Sequence, residues 1–234
     1  LMKYIVLVPD GVADEPLRSL GGKTPLEVAR TPNMDQVAHR GWTGMVQIIP
    51  PGMHPGSDVG NMSVLGYDAT KGFSGRAPLE AANLGIVLKD DEIAFRCNLV
   101  TVRDGVMVDY SAGHITIEEA AEVMRTVSAE LSDGSCRFYT GKSYRHIAVV
   151  KSDKIADLAG LKCTAPHDIT GQNIGPYLPS GIKADFVLRY MEASKPVLAE
   201  HPVNMERVKK GLDPATMLWF WGQGGRPDLE SFRD

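Results

Sequence analysis

The apolar and polar positions change pattern about a third of the way along the chain. Tyr4 to Val8 is a continuous apolar run rich in β-branched residues, closing on Pro9-Asp10-Gly11. It predicts a buried parallel strand with Asp10 at its carboxyl edge. Ligands bind at that edge in open α/β sheets, although an aspartate before a glycine is also an ordinary turn residue. A short helix follows near Pro25 to Ala29. Thr31-Pro32 then opens a second one, with Thr31 as N-cap, Pro32 in the first turn, and Met34, Val37 and Ala38 as its apolar stripe. Gly41 ends that helix, and Thr43 to Ile49 reads as another strand.

From about Gly72 the texture becomes that of an α+β module. Gly75-Arg76-Ala77-Pro78 leads into a helix through Leu84, and Ile93 to Val102 is a strand. Arg103-Asp104-Gly105 is a hairpin turn, after which Val106 to Val108 pairs back. Thr116 with Glu119 is a capping box opening a helix to about Leu131. Arg137 to Thr140 and Arg145 to Lys151 are two further strands. Lys162 to Pro179 is a long loop, Ile182 to Glu200 a helix kinked or divided at Pro196, and Thr216 to Trp221 a short strand. A parallel-sheet start followed by antiparallel pairing puts a domain boundary near Tyr67 to Ser74.

Composition narrows the function classes. The 234 residues can bury one large core or two modest ones, and charged residues are 23% of them. A net charge of −4 supplies no basic footprint for nucleic acid, and the apolar start is too short to span a bilayer. A cytoplasmic enzyme acting on a small molecule fits, and a homo-oligomer is compatible with it. Cys97, Cys136 and Cys163 are widely spaced, odd in number and without a CxxC, which argues against a disulfide framework or a zinc site. Gly222-Gln223-Gly224-Gly225 lacks the Lys-Ser/Thr of a Walker loop.

The chemistry is concentrated in Pro50-Pro51-Gly52-Met53-His54-Pro55-Gly56-Ser57-Asp58-Val59-Gly60-Asn61. Prolines and glycines hold the backbone open ahead of a helix starting near Asp58, whose free N–H groups and positive dipole end suit a phosphate. Ser57 at that junction is either a reactive serine or simply the N-cap.

Several segments together resemble the archaeal-type cofactor-independent phosphoglycerate mutases of the alkaline phosphatase superfamily. They are Pro9-Asp10-Gly11-Val12-Ala13-Asp14, Leu20 to Glu27, Thr31-Pro32-Asn33-Met34-Asp35, Gly56 to Ser63 with Leu65-Gly66-Tyr67-Asp68, Gly75-Arg76, His201-Pro202-Val203-Asn204 and Leu218 to Gly222. They are collinear over the whole chain, which looks like the N-terminal part of such an enzyme. The resemblance implies an α/β fold: a partial alkaline-phosphatase-like three-layer domain interrupted by an α+β inserted domain. Residues 1–70 would start the phosphatase-like domain, 75–205 would form the insertion, and 212–234 would return towards the first domain.

The implied activity is interconversion of 3-phosphoglycerate and 2-phosphoglycerate in glycolysis and gluconeogenesis, without 2,3-bisphosphoglycerate. Ser57 would be the nucleophile, and Asp10 and Ser57 would bind two divalent ions, Mn²⁺, Mg²⁺ or Zn²⁺. Bound divalent ions would lower the serine's pKa, and hard oxygen donors such as Asp10 suit them. Arg96, His114, Arg145 and His167 would hold the substrate, an arginine pairing with carboxylate or phosphate through two parallel hydrogen bonds. The family pattern often has arginine where His114 stands.

One departure weighs more. The superfamily's later metal ligands, in D-x-x-G-H and G-D-H patterns, do not occur in these residues. The chain as it stands is therefore expected to bind two metals poorly and to be inactive alone. Two other readings remain: a phosphohydrolase or phosphonate enzyme of the same superfamily, and a non-catalytic module that binds a phospho-acid.

Overall fold

Glu92–Arg103 (β1) is a twelve-residue strand whose first ten residues are all buried, as a strand covered on both faces must be. In the computed structural model, which describes residues 3–53 and 55–230, β1 is the axis of an antiparallel sheet. The sheet's other members are Val106–Asp109 (β2), Cys136–Lys142 (β3), Arg145–Lys151 (β4) and Met217–Gly224 (β5). One edge of β1 pairs with β4, which pairs with β3, and the other pairs with β5 from Ala94 to Val100. The end of β1 turns back into β2 through Asp104 and Gly105, both at positive φ (51° and 75°), as a tight hairpin requires.

The chain divides into two compact units, 1–47 and 48–234. The second unit contains the whole sheet. Phe95, Cys97 and Leu99 alternate onto one face and pack with Phe138 and Phe220 beneath Ile117–Leu131 (α6) and Ala184–Ala199 (α8). Burying each such large side chain contributes about 1.5–3 kcal/mol. The opposite face carries Ala94, Ile147 and Val149, covered by Ala77 and Ala81 of Arg76–Asn83 (α5). α6 starts at the expected capping box, with Thr116 Oγ1 accepting from the Glu119 N–H and Glu119 Oε2 accepting from the Thr116 N–H.

Short polar ties fix the remaining pieces. Ser194 Oγ of α8 donates to the Met191 carbonyl and accepts from the Leu218 N–H of β5. His201 caps Pro202–Lys209 (α9) by accepting from the Val203 N–H, and its Nε2 lies 3.1 Å from Thr126 Oγ1. Asn204 exchanges hydrogen bonds with the Ala215 backbone in both directions. The His201-Pro202-Val203-Asn204 segment therefore serves as a helix cap and a strand anchor. The second unit also holds Ser57–Val64 (α3), Ala69–Gly72 (α4) and Ile155–Ala159 (α7). The first holds Pro25–Val28 (α1), capped by Thr24 and Glu27, and Pro32–Arg40 (α2).

Several expectations are corrected. Residues 4–8 form no strand, and Tyr4, Ile5 and Leu7 are more than 80% exposed. Residues 43–49 form none either, with Met45 and Val46 exposed. An apolar run becomes a buried strand only where neighbouring strands supply its hydrogen bonds, and neither run pairs in a ladder among the described residues. Thr31 precedes α2 but its hydroxyl donates to the Asp35 carboxylate instead of capping the backbone. Pro196 does not divide α8, where buried Tyr190, Met191, Ser194 and Leu198 hold the helix together on both sides of it. β5, expected to lie outside the inserted module, is paired to its central strand. The two compact units divide at Gln47/Ile48. Leu1, Met2, His54 and Ser231 to Asp234 lie outside the described residues. Among those described, no cysteine is bridged and no helix is long and apolar enough to cross a membrane.

His146 of β4 gives the fold a pH dependence. Its Nδ1 accepts from the Gly141 N–H at 3.1 Å, so Nε2 carries the proton, buried and without a partner. Burial pulls its pKa from 6.5 down to about 3. The unfolded chain takes up this proton below about 6.5 and the folded chain does not. Stability is therefore complete above that pH and falls as pH drops towards 3, by up to about 1.4 kcal/mol per unit. Denaturant unfolding of this chain between about pH 7 and 4.5 should show the slope. His146→Gln, whose side-chain oxygen can still accept from Gly141, should flatten it by one proton; an unchanged slope would assign it to other groups.

Candidate active site

Ser57 is presented by local backbone chemistry. Gly56 is the extended N-cap of α3, with the Asp58 carboxylate close to where a side chain there would stand. Ser57 is thus the first helical residue and not the cap. It is exposed, and among the described residues its hydroxyl has no hydrogen-bond partner. Asp58 Oδ1 accepts from the Val59 N–H at 3.0 Å. Val59 and Met62 anchor α3 by packing with Ala69, Phe73 and Leu79.

The serine stands in a cleft of about 770 Å³, within the range of small-molecule sites. Its walls come from distant parts of the second unit. Arg76 enters from the start of α5, Lys162, Cys163 and His167 from the long loop, and Trp221 from β5. The loop is tied down where Trp219 Nε1 donates to the Thr164 carbonyl (2.8 Å) and Gln223 Nε2 donates to the Leu161 carbonyl. His167 sits in the 3₁₀ turn Pro166–Ile169, with its ring edge-to-face with Trp221 (5.3 Å) and Tyr110 (6.0 Å). The structure thus brings together Ser57 and His167, two of the residues expected from the sequence. Burial raises the Cys163 thiol to about 12, so it lines the cleft as a neutral group.

Arg96 lies behind the Trp221 wall. The β1–β5 register places it opposite Trp221, with Asn98 opposite Trp219, on the sheet face away from Phe95 and Phe220. Its guanidinium stacks 4.2 Å from the indole centroid, and the indole N–H donates to Asn98 Oδ1 at 3.1 Å. Arg96 Nε is 3.2 Å from Glu80 Oε2, close enough for an ion pair but not aligned for a hydrogen bond, and that nitrogen is buried without one. Burial lowers the Arg96 pKa to about 10; Glu80 opposes that shift, while Arg76 and Arg145 add to it. Gly222, at φ 63°, adopts the left-handed backbone that favours glycine, beside the Arg96 and Arg76 stems.

The other expected residues lie elsewhere. Arg145 is exposed at the start of β4, opposite Asn98, and borders a separate recess of about 210 Å³ with Glu80 and Lys142. His114 is exposed in a turn where Ala112, Gly113 and His114 all have positive φ (51°, 61°, 52°). That conformation is costly for alanine and histidine. Arg207 holds it, donating through Nη2 to the Ala112 and Gly113 carbonyls (both 2.9 Å) and through Nη1 to Glu119 (2.6 Å). Asp10 belongs to the first unit, where it is exposed in a turn and donates its N–H to the Val8 carbonyl, in place of the expected strand end.

Among the described residues no three His, Cys, Asp or Glu side chains converge to hold a metal ion. A hard divalent cation takes about six oxygen ligands, so these residues do not form a two-metal centre by themselves. The site residues missed by sequence reasoning are Arg76, Lys162 and Trp221. Arg76 had a signal: it is a cation in the first turn of a helix, where the dipole disfavours positive charge. Trp221 had only its alternation with Trp219 and Gln223 along one strand face.

A family model described as 2,3-bisphosphoglycerate-independent phosphoglycerate mutase matches residues 38–204. A protein of that name from Methanothrix thermoacetophila is 51% identical over all of this chain, and one named as probable from Geobacter sulfurreducens is 44% identical. The chain spans about 58% of the length of these curated relatives. Among solved structures it resembles a cofactor-independent phosphoglycerate mutase from Thermoplasma acidophilum (TM-score 0.57, 32% identity, 95% of this chain and 59% of that one). It also resembles the PH0037 protein from Pyrococcus horikoshii (TM-score 0.66, 28% identity, 94% and 50%). The family match covers more than half of the chain, and the chain belongs to the 2,3-bisphosphoglycerate-independent phosphoglycerate mutase family.

Proposed function

We propose that the protein containing this sequence interconverts 3-phosphoglycerate and 2-phosphoglycerate through a phosphoserine at Ser57. The observation that carries the reading is the unpartnered Ser57 hydroxyl in one cleft with Arg76, His167 and Trp221. Ser57 Oγ loses its proton and attacks phosphorus, the bond to the glycerate oxygen breaks, and that oxygen takes up a proton. The other glycerate hydroxyl then loses its proton, attacks the phosphoserine and breaks its P–Oγ bond, and Ser57 Oγ takes up a proton. Two such transfers need a small acid to be retained and turned between them. Arg96, with no hydrogen bond to its side chain among the described residues, is suited to hold the carboxylate. Arg145 and His114 would meet the glyceryl part from the neighbouring recess and turn, and His167 would steer the phosphoryl end.

In this reading unit 1 and the segment before α5 belong to an alkaline-phosphatase-like layered domain, and residues 75–224 form the insertion. The pairing of β5 with β1 supports extending the insertion to 224. Asp10 and Ser57 would contribute to a centre of Mn²⁺, Mg²⁺ or Zn²⁺ completed by donors beyond those described. Such ions lower the pKa of a hydroxyl and neutralise phosphoryl charge. The reaction would belong to glycolysis and gluconeogenesis in the cytoplasm.

The gene's full product, assayed with Mn²⁺ and no bisphosphoglycerate, should convert 3-phosphoglycerate to 2-phosphoglycerate. Ser57→Ala should lower kcat by about a thousandfold or more. Release of inorganic phosphate without isomerisation would instead establish a hydrolase. Arg96→Met should raise KM roughly 10- to 150-fold, the value of a charged hydrogen-bonded contact, with a much smaller change in the rate of phosphoserine formation at saturation. An unchanged KM would remove Arg96 from the carboxylate's contacts.

A further inference from the structure

The Ser57 cleft contains a cation whose placement serves nothing else in the fold. Arg76 is the first residue of α5, where a positive charge opposes the helix dipole. Its guanidinium makes no hydrogen bond among the described residues. It is held more loosely, with Nε 3.7 Å from Asp58 Oδ2 and the ring of Trp221 5.9 Å away. At 3.7 Å and without a hydrogen bond, this partly buried ion pair is only loosely made. Asp58 follows Ser57 directly, so the contact keeps the guanidinium beside the serine. A second cation lies close behind the same indole, since Arg96 stacks on Trp221 and feels the charge of Arg76. Two guanidinium groups gathered on one aromatic wall repel each other, and an anion bound beside Arg76 in the cleft would relieve that repulsion.

We propose that Arg76 is a phosphoryl-binding residue of the Ser57 site, donating to the non-bridging oxygens of the group that Ser57 accepts. The assignment rests on the reading of Ser57 given above and extends it. Arg96 and Arg76 would take opposite ends of the substrate, carboxylate and phosphoryl, on either side of Trp221. A planar guanidinium suits a phosphoryl group because two parallel N–H donors match two of its oxygens. Held by Asp58 and Trp221, it needs little rearrangement when charge develops on those oxygens.

The test uses the full-length protein with Mn²⁺, as wild type, Arg76→Gln and Arg76→Lys. Inorganic phosphate binding is measured by calorimetry, alongside conversion of 3-phosphoglycerate. Arg76→Gln should weaken phosphate binding at least tenfold and lower kcat/KM by about a hundred- to a thousandfold, with Arg76→Lys between it and wild type. The unfolding midpoint should stay within about 3 °C, because the side chain is partly exposed and loosely paired. Phosphate binding equally tight in Arg76→Gln, or absent from the wild type, would overturn the assignment. Weakened phosphate binding in a protein whose wild type converts no phosphoglycerate would uphold Arg76 as a phosphate ligand and sink the mutase reading instead.

Discussion

The register between β1 and β5 is the constraint on which the site depends. With Arg96 opposite Trp221, the arginine, Asn98 and both tryptophans share one face, and Phe95 and Phe220 share the other. A slip of one residue would carry the guanidinium into the aromatic core and turn a phenylalanine towards the cleft. The hydrophobic layer under α6 and α8 enforces this register, because all its members are fully buried only in one alignment. The cleft is in this sense specified from behind: the core chooses which strand residues face the substrate side.

Two buried arginines show how the same side chain serves structure in one place and chemistry in another. Arg207 is fully satisfied, donating to three carbonyls and to Glu119, and its task is to hold a left-handed turn. Arg96 is nearly as buried, yet has an aromatic face, one misaligned carboxylate and an Nε with no hydrogen bond. The stack on Trp221 and the Glu80 carboxylate offset only part of the cost of burying this cation. Arg76 and Lys162 add further positive charge to the same neighbourhood, although the chain as a whole is acidic. Net charge, summed over the surface, conceals such a local gathering.

Local chemistry was legible in the sequence. The Asp104-Gly105 hairpin, the Thr116–Glu119 capping box, β3, β4 and a helix beginning near Asp58 all follow from nearby residues, and all occur, the last starting one residue earlier at Ser57. What depended on distant partners was not legible. The run at residues 4–8 has the composition of a buried strand but lacks the pairing that would make it one. β5 was recognised as a strand, yet its place beside β1 is fixed by side chains a hundred residues earlier. Pro196 carries the strongest local signal against a helix, and tertiary burial of α8 overrides it. Ser57 and His167 share a cleft with Arg76 and Trp221, although locally Arg76 reads as a helix start and Trp221 as part of an apolar strand.

The tie between Trp221 and Asn98 joins positions 123 residues apart, which gives the site an order of manufacture. At roughly 5–20 residues per second, a ribosome needs on the order of 6–25 s to travel from one to the other. Even after β4 has emerged and paired with one edge of β1, the other edge stays open, with Arg96 uncovered beside a row of apolar side chains, until β5 follows. The nascent chain must be kept from pairing that edge with a neighbour until β5 emerges, and the serine cleft acquires its aromatic wall only at that moment.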